Sequence, residues 1–371
     1  MSNYLFSKIG SFWSATFFGG ANFINATFFR QAPFRGAAFS GEADFSDAAF
    51  CGGADFSCAT FSCSADFRRA TFSLSANFEG ATFYQRADFS GRTFSQRADF
   101  SRTTFSAEAR FESATFSAPT NFNGATFSDV AEFVSATFSR GAIFENATFN
   151  YAIFKSATFS DGAMFANSTF QSLSLFVNAE MKGMTSFENA TFETEPPLFS
   201  GAKLHQGTVW RGITWPPPPK NTVEAGRFLD AYACLKLEMN RLQRQEDELD
   251  FFALELQSRV LIGRWEWGLP IALYGLLSDY GRSYLRPLVA LFVVAAIGAG
   301  AFWYFDARTY REALGLSAAN TLNVFGFRRD FGLAIDTPFA WLKVFAAGQT
   351  ILGTILLFLF GLGVRNKFRM K

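Results

Sequence analysis

A phenylalanine recurs at alternating steps of five and six residues from Phe12 to Phe144, so the true unit of this sequence is 11 residues long. One half of the unit reads Ala-Asp-Phe or Ala-Asn-Phe, as in Ala43-Asp44-Phe45, and the other reads Ala-Thr-Phe, as in Ala59-Thr60-Phe61. The alternation slips once, at Phe149 to Phe154. The chain carries 51 Phe among 371 residues, far more than a globular core requires, so Phe must have an architectural role.

A helix or an ordinary strand cannot satisfy this spacing. On an α-helix with about 3.6 residues per turn, successive Phe would lie roughly 140° apart and would not share a face. In a strand, a step of five moves the side chain to the opposite face of the sheet. The segment is also rich in Gly, Ser, Thr, Asn and Asp, which are poor helix formers. The spacing therefore predicts a coil that turns a corner every five or six residues, with one Phe and one small residue pointing inward on each side.

Stretches such as Ala43-Asp44-Phe45-Ser46-Asp47 and Ala81-Thr82-Phe83 resemble the pentapeptide repeat family, whose unit is a small residue, a polar residue, Leu or Phe, and two variable residues. The resemblance extends roughly from Phe12 to Leu204, although Phe replaces the commoner Leu and every second unit has a sixth residue. It implies a right-handed quadrilateral β-helix, a β-solenoid with four units and 22 residues per coil. The 36 inward positions would make nine coils, stacked about 4.8 Å apart in a rod roughly 43 Å long.

The inward positions of the regular part should form a structural ladder inside this coil. Each buried Phe contributes roughly 1.5–3 kcal/mol, and the Ala two positions earlier must stay small to leave room for the rings. The predicted ladder consists of Phe45, Phe56, Phe67, Phe78, Phe89, Phe100, Phe111, Phe122 and Phe133.

A coil of this length also aligns outward side chains in ladders. An acidic ladder suggests a DNA mimic that binds gyrase, as in some members of that family, and a Thr ladder suggests ice binding. The third interpretation is structural, because Thr suits strands and Asp suits turns. We favour the third, since 13 Lys and Arg interrupt the 18 Asp and Glu between residues 12 and 204. The ladders are Thr60, Thr82, Thr104, Thr126 and Thr148, and Asp44, Asp66, Asp88, Arg110 and Glu132.

A cap or Pro-rich linker is expected over 205–223, since Trp215 precedes four prolines that form a stiff polyproline stretch. A heptad pattern then predicts one amphipathic helix over 224–262. Two interpretations remain open: a coiled coil that joins copies of the chain through 228–260, or a helix that packs on the solenoid or on the hairpin described next. The seam reads Phe228, Tyr232, Leu235, Met239, Leu242, Glu246, Leu249, Ala253, Leu256 and Val260.

Two uncharged stretches, 288–305 and 344–364, are long enough to span a membrane. They follow a juxtamembrane segment, 263–287, and are joined by a loop, 306–343, of lower basic density. Because Lys and Arg favour the cytoplasmic side, we predict a multi-pass protein of the cytoplasmic membrane with a cytoplasmic N-terminal cap, 1–11, and a cytoplasmic basic tail, 365–371. The orienting residues are Arg282, Arg286, Arg365, Lys367, Arg369 and Lys371.

The hairpin weakly resembles the two-helix pore domain of tetrameric cation channels, through Glu312-Ala313-Leu314, Ser317, Thr321 and Phe325-Gly326. Such channels need a Thr-rich filter followed by Gly-Tyr-Gly-Asp, whose backbone carbonyls replace the water around the ion. This chain has Asn323 to Arg329 at that place, ending in two Arg. Three interpretations follow: an accidental likeness, an ancestral pore domain kept as an anchor, or an oligomer that conducts ions.

Catalysis has no candidate residues here. The chain has one His and four Cys without a CxxC pair, so we expect no catalytic, cofactor-binding or metal-binding residues. The leading hypothesis is a non-enzymatic membrane protein of the bacterial type, with a cytosolic solenoid that binds an unidentified protein partner. The other expected partners are the lipid bilayer and further copies of the chain; with a net charge of +1, nucleic acid is not expected.

Overall fold

The computed structural model describes residues 5–6, 11–262, 265–306, 309–322 and 340–369. The chain divides into two compact units. The first comprises Met1–Pro218 and Asp230–Arg244, and the second comprises Pro219–Leu229 and Gln245–Lys371. Each unit is built on a different secondary structure, short strands in the first and helices in the second.

The first unit is a β-solenoid with four faces. They are numbered so that each coil passes through faces 1, 2, 3 and 4 in turn, and the first strand, Leu5–Phe6, lies on face 4. Thr60 pairs in parallel with Thr82 of the next coil and Ala38 of the previous one, so a regular coil has 22 residues, as predicted. Face 4 has nine stacked strands, so the chain makes eight complete coils between the first of them and the last. Strands Thr126–Glu132 and Thr148–Ile153 run around the corner from face 2 to face 3 and join these faces in one sheet.

The strands of the four faces are as follows. Face 1 contains Ala32–Pro33, Ala54–Asp55, Ala76–Asn77, Ala98–Asp99, Thr120–Asn121, Ala142–Ile143, Ala163–Met164 and Thr185–Ser186. Face 2 contains Thr16–Phe17, Ala38–Phe39, Thr60–Phe61, Thr82–Phe83, Thr104–Phe105, Thr169–Phe170 and Thr191–Phe192 besides the two shared strands. Face 3 contains Ala21–Asn22, Ala43–Asp44, Ala65–Asp66, Ala87–Asp88, Ala109–Arg110 and Ser174–Leu175. Face 4 contains Leu5–Phe6, Thr27–Phe28, Ala49–Phe50, Thr71–Phe72, Thr93–Phe94, Thr115–Phe116, Thr137–Phe138, Thr158–Phe159 and Glu180–Met181.

Stacked phenylalanine rings fill the interior. Phe45 lies over Phe67 with ring centroids 5.0 Å apart and planes 1° apart, while Phe45 meets Phe56 edge-on at 5.3 Å and 83°. The nine residues of the predicted ladder are all fully buried. They form two columns that interlock along the axis, because alternate members belong to opposite faces. Offset and edge-on ring pairs of this kind contribute about 0.5–1.5 kcal/mol each beyond the area they bury.

Tight turns with a left-handed residue form the corners that follow each Ala-Asp-Phe or Ala-Asn-Phe. At one of them the Ala48 N–H donates to the Phe45 carbonyl at 3.1 Å, and Asp47 has φ of 60°. The corner residue recurs every 11 positions, at Asn25, Gly36, Asp47, Cys58, Arg69, Gly80, Gly91, Arg102, Ser113 and Gly124.

The solenoid extends beyond the predicted limits of 12–204 at both ends. Leu5–Phe6 already pairs with Thr27–Phe28 in the segment expected to be a cap. At the other end, Trp210 stacks on Phe187 and Trp215 stacks on Phe192, at 4.9 and 5.7 Å, within the predicted linker. The aromatic columns therefore continue with Trp, which a count of Phe does not register.

The single helix predicted over 224–262 is two helices, α1 (Thr222–Arg241) and α2 (Gln245–Ile262). The left-handed conformation of Gln243, with φ of 60°, breaks the helical backbone between them. The heptad pattern continues across this break, so apolar spacing alone did not reveal it.

The remaining helices of the second unit are α3 (Trp265–Ser278), α4 (Leu285–Phe305), α5 (Tyr310–Thr321) and α6 (Ala340–Arg369). Helix α3 occupies the predicted juxtamembrane segment, and α4 and α6 are longer than the predicted spans. The predicted loop 306–343 contains α5, which packs against both α4 and α6. A capping box between Thr309 and Glu312 starts this helix, and Ala313 and Leu316 bury its apolar side.

Candidate functional site: the solenoid surface and the helical hairpin

The acidic ladder lies on face 3 in the predicted register. Asp66 pairs with Asp44 and Asp88 of the neighbouring coils, and the ladder continues through Arg110 to Glu132. These carboxylates bond to neighbouring groups of the solenoid itself. Asp66 accepts a hydrogen bond from the backbone N–H of Arg68 at 2.8 Å and forms an ion pair with the Arg68 guanidinium at 2.6 Å.

The same hydrogen bond recurs at the Asp and Asn positions of faces 1 and 3. In each case the side chain accepts from the backbone N–H two residues later and so holds the following corner. The pairs are Asn22 with Ile24, Asp44 with Ser46, Asp55 with Ser57, Asn77 with Glu79, Asp88 with Ser90, Asp99 with Ser101, and Asn121 with Asn123. These contacts support the structural interpretation of the ladder.

Face 1 carries a column in which carboxylates and amides alternate. The Asn77 side-chain amide donates to Asp55 at 3.3 Å, and the Asn121 amide donates to Asp99 at 3.2 Å. Burial disfavours the ionised form of Asp99, but the hydrogen bonds from Ser101 and the charge of Arg97 outweigh it and lower the pKa of Asp99. Sequence reasoning missed this column, although the Asp-Asn alternation at intervals of 22 residues was visible.

The Thr ladder lies on face 2, with Thr82 paired to Thr60 and Thr104. The ladder continues through Thr126 to Thr148. Each coil from Thr60 to Thr148 presents one outward Thr there, between an inward small residue and an inward Phe. This is the place where a β-branched residue best suits a strand.

The second half of α1 covers the end of the solenoid. The Tyr232 ring packs edge-on against Trp215 at 5.7 Å. Glu238 accepts a hydrogen bond from the Leu204 N–H at 2.8 Å and binds Arg241 at 2.6 Å. Burial opposes ionisation of Glu238, but these hydrogen bonds outweigh it and lower the pKa of Glu238. Leu235 is fully buried in the chain. The heptad seam had two interpretations, a coiled coil between copies of the chain or a helix packed within one chain. The contacts of this half of α1 support a helix packed on the solenoid.

Helices α4 and α6 are long and apolar enough to cross a membrane. Many of their large apolar side chains are exposed: Phe292 is 70% exposed and Phe358 is 69% exposed. Arg282 precedes α4 and pairs with Asp279 at 2.9 Å and Asp250 at 3.2 Å.

The predicted orienting residues fall at one end of this hairpin. The Asn366 amide of α6 donates to the Gly281 carbonyl before α4 at 3.1 Å, which brings Arg365 and Lys367 to the end where Arg282 and Arg286 lie. Both Arg365 and Lys367 are exposed. Arg369 ends α6, and Lys371 lies outside the described residues.

A buried polar cluster joins α4, α5 and α6. The Gln349 amide donates to the Ser317 hydroxyl at 2.6 Å and to the Thr321 hydroxyl at 2.9 Å. The Ser317 hydroxyl in turn donates to the Ala295 carbonyl at 2.6 Å. Asn320 is fully buried, and neither polar atom of its amide has a hydrogen-bond partner among the residues that the structure describes. Residues 323–329, where a filter would lie, are outside the described residues.

The family comparison agrees with the geometry of the first unit. The family model for pentapeptide repeats matches residues 49–91 and 111–158 in nine copies. No curated protein and no solved structure matches the chain. The matched segments lie within the coils of the solenoid, and the second of them includes the slip at Phe149 to Phe154. The chain therefore combines a β-solenoid whose coils match the pentapeptide-repeat model with a set of helices, two of which are long and apolar enough to cross a membrane.

Proposed function

We propose that this chain is a membrane-anchored, non-enzymatic scaffold whose solenoid presents a rigid surface to a protein partner. The observation that carries the proposal is the contrast between the two units. The solenoid buries its inward Phe side chains in columns of rings, while α4 and α6 leave many of their large apolar side chains exposed. A side chain such as Phe292, 70% exposed in the uncharged stretch 288–305, is best satisfied by lipid.

The topology we propose places both ends of the hairpin in the cytoplasm. Four basic residues at one end of it, Arg282, Arg286, Arg365 and Lys367, support this orientation under the positive-inside rule. A fluorescent protein fused after Lys371 should fluoresce, and alkaline phosphatase fused there should be inactive. Active alkaline phosphatase at that position would contradict the topology, and release of the full chain from membranes by alkaline carbonate would contradict the anchor.

The scaffold role has its own test, because a rigid coil fixes which side chains share a side. Photo-crosslinking residues are placed singly at two opposite corner columns. These are Ser62, Ser106 and Ser128, which follow face 2, and Ser73, Ser95 and Ser117, which follow face 4. All six are exposed. A partner that binds one side should crosslink to the members of one column and not to the other. Equal crosslinking everywhere, or none in native membranes, contradicts the proposal.

A second candidate function is an ion-conducting oligomer, and one observation favours it. Helix α5 packs between the two apolar helices and brings the polar side chains of Ser317, Asn320 and Thr321 into a buried position. Planar-bilayer recording of the purified chain tests this candidate. Conductance that is lost when Phe325 to Arg329 are substituted would replace the scaffold proposal.

A further inference from the structure

The first coil of the solenoid carries large aromatic side chains on its outside. Trp13, Phe18 and Phe29 each follow an inward Phe directly and are 68%, 87% and 54% exposed. Later coils place small residues at most of the equivalent positions. The positions one to five coils after Phe18 are Ser40, Ser62, Tyr84, Ser106 and Ser128, and those after Phe29 are Cys51, Ser73, Ser95, Ser117 and Ser139. The repeat therefore does not require these aromatic residues.

The same end of the chain is basic. Residues 1–41 contain Lys8, Arg30 and Arg35 and no Asp or Glu. Residues 42–204 contain 11 Lys and Arg and 18 Asp and Glu, so the rest of the solenoid is net acidic. Both Arg30 and Arg35 are exposed, and neither has an ion-pair partner among the described residues. We call Trp13, Phe18, Phe29, Arg30 and Arg35 the N-terminal rim.

The two ends of the first unit differ in how their rings are covered. The last rings, Trp210 and Trp215, lie beneath the second half of α1, and Trp210 is only 8% exposed. The rings of Phe12 and Phe17 in the first coil are only partly buried, whereas those of the regular coils are fully buried. The N-terminal rim thus surrounds an end of the aromatic columns that retains contact with solvent.

Aromatic side chains flanked by Arg suit the headgroup region of a bilayer, where ring and charge each find a favourable environment. A second copy of the chain suits the rim less well, because it would bring a like-charged end against this one. We propose that the N-terminal rim binds the surface of an anionic lipid bilayer. Trp13, Phe18 and Phe29 enter the interfacial region, and Arg30 and Arg35 pair with lipid phosphates.

The test uses the full chain held in nanodiscs of phosphatidylcholine and mixed with vesicles. Incorporation into the nanodisc reports on the proposed anchor, and recruitment of the nanodisc to vesicles in a flotation assay reports on the rim. We expect recruitment to vesicles that contain phosphatidylglycerol and little recruitment to phosphatidylcholine alone. Because each basic residue at such a surface contributes roughly a fivefold gain in affinity, the double variant R30Q/R35Q should weaken recruitment at least tenfold.

The aromatic part of the rim is tested with W13S/F18S/F29S, which should also abolish most of the recruitment. The matched control is Y84S, because Tyr84 is 53% exposed and occupies the position of Phe18 three coils later. It should bind anionic vesicles like the unaltered chain. Unchanged recruitment in both rim variants, equal recruitment to both kinds of vesicle, or pairing of nanodiscs without vesicles, which would indicate a second copy, would each overturn the proposal. The Arg variant keeps the aromatic side chains, so it decides the matter if the triple variant misfolds.

Discussion

The side-chain amide of Asn77 donates a hydrogen bond to the carboxylate of Asp55, 22 residues earlier in the chain and directly adjacent on face 1. Asp99 is the next member of the column, paired to Asn77 in the parallel ladder. An amide between two carboxylates keeps like charges apart at a coil spacing of about 4.8 Å. The alternation therefore matters for the stability of this face.

Replacing Asn77 by Asp should destabilise the solenoid by about 1 kcal/mol at neutral pH, because three carboxylates would then stand in one column. The loss should shrink as the pH falls below about 4, where Asp becomes protonated. Thermal unfolding of N77D at pH 7 and near pH 3.5 checks this. The control is N77S, which removes the amide without adding charge and should show no such pH dependence. An equal loss at both pH values in N77D would contradict the electrostatic explanation.

The small inward residue can be tested at Ala98, which is fully buried two positions before Phe100. Changing Ala98 to Leu inserts three carbons against the ring columns and should destabilise the solenoid by about 1–3 kcal/mol. The control is Ser95 to Leu in the preceding corner, where the side chain is exposed and the cost should stay near zero. Equal melting temperatures for A98L and S95L would show that the inward assignment is wrong.

Ser101 shows a limit of what the repeat pattern can predict. Its variable position in the repeat predicts an outward side chain, yet it is only 7% exposed, because its hydroxyl donates to the Asp99 carboxylate at 2.6 Å. The spacing of Phe predicted a corner every five or six residues, and the resemblance to the pentapeptide repeat family implied four faces and hence the 22-residue register. Side-chain bonds at corners depend on local geometry, and the period does not encode them.

The helices of the second unit were predicted less completely, because some of them depend on contacts that composition does not indicate. Uncharged length predicted α4 and α6, because crossing lipid requires little else. Helix α5 has mixed composition, so the sequence predicted only a loop there, and it is stabilised by its cap and by contacts with the two longer helices. The contact of Tyr232 with Trp215 lies between residues 17 positions apart, and no sequence pattern indicated it.

Replacing glycine should cost more stability where the backbone is left-handed than where it is not, and two glycines allow the comparison. Gly91 has φ of 63°, and a Cβ added there would meet no atom within 4 Å. Gly141 is equally open but lacks a positive φ. Gly91 to Ala should therefore cost about 1–2 kcal/mol from backbone conformation alone, and Gly141 to Ala should cost little. Denaturant unfolding of the two variants measures the difference. A cost at Gly141 as large as that at Gly91 would exclude conformation as the cause.

The cap formed by α1 should weaken in acid through Glu238. Its folded pKa lies below the ordinary value of 4.5, so the stabilisation is fully present above about pH 4.5 and is lost as the pH falls through the folded pKa. Glu238 to Gln should cost about 1–2 kcal/mol at pH 7, since a hydrogen bond to a charged group is replaced by a neutral one. It should cost almost nothing near pH 3. Limited proteolysis of the segment after Arg241, at both pH values, measures the release of the cap. A loss that does not depend on pH would show that Glu238 acts through packing.

The buried polar cluster of the second unit lies directly against Gly298, so α4 is close to α5 and α6 at this residue. A Cβ added at Gly298 would collide with the amide of Gln349 and the hydroxyl of Ser317. Two residues further along the same helix, a Cβ at Gly300 would meet nothing within 4 Å. Gly298 to Ala should therefore separate α4 from α5 and α6 and cost about 1–3 kcal/mol. Gly300 to Ala should be neutral or slightly stabilising, because Ala favours a helix. The measurement is the thermal aggregation temperature of the purified chain in detergent. Because the Gln349 amide is one of the two colliding groups, Gln349 to Ala combined with Gly298 to Ala should recover part of the loss. No recovery in the double variant would mean that the Ser317 hydroxyl, and not the Gln349 side chain, limits the space at Gly298.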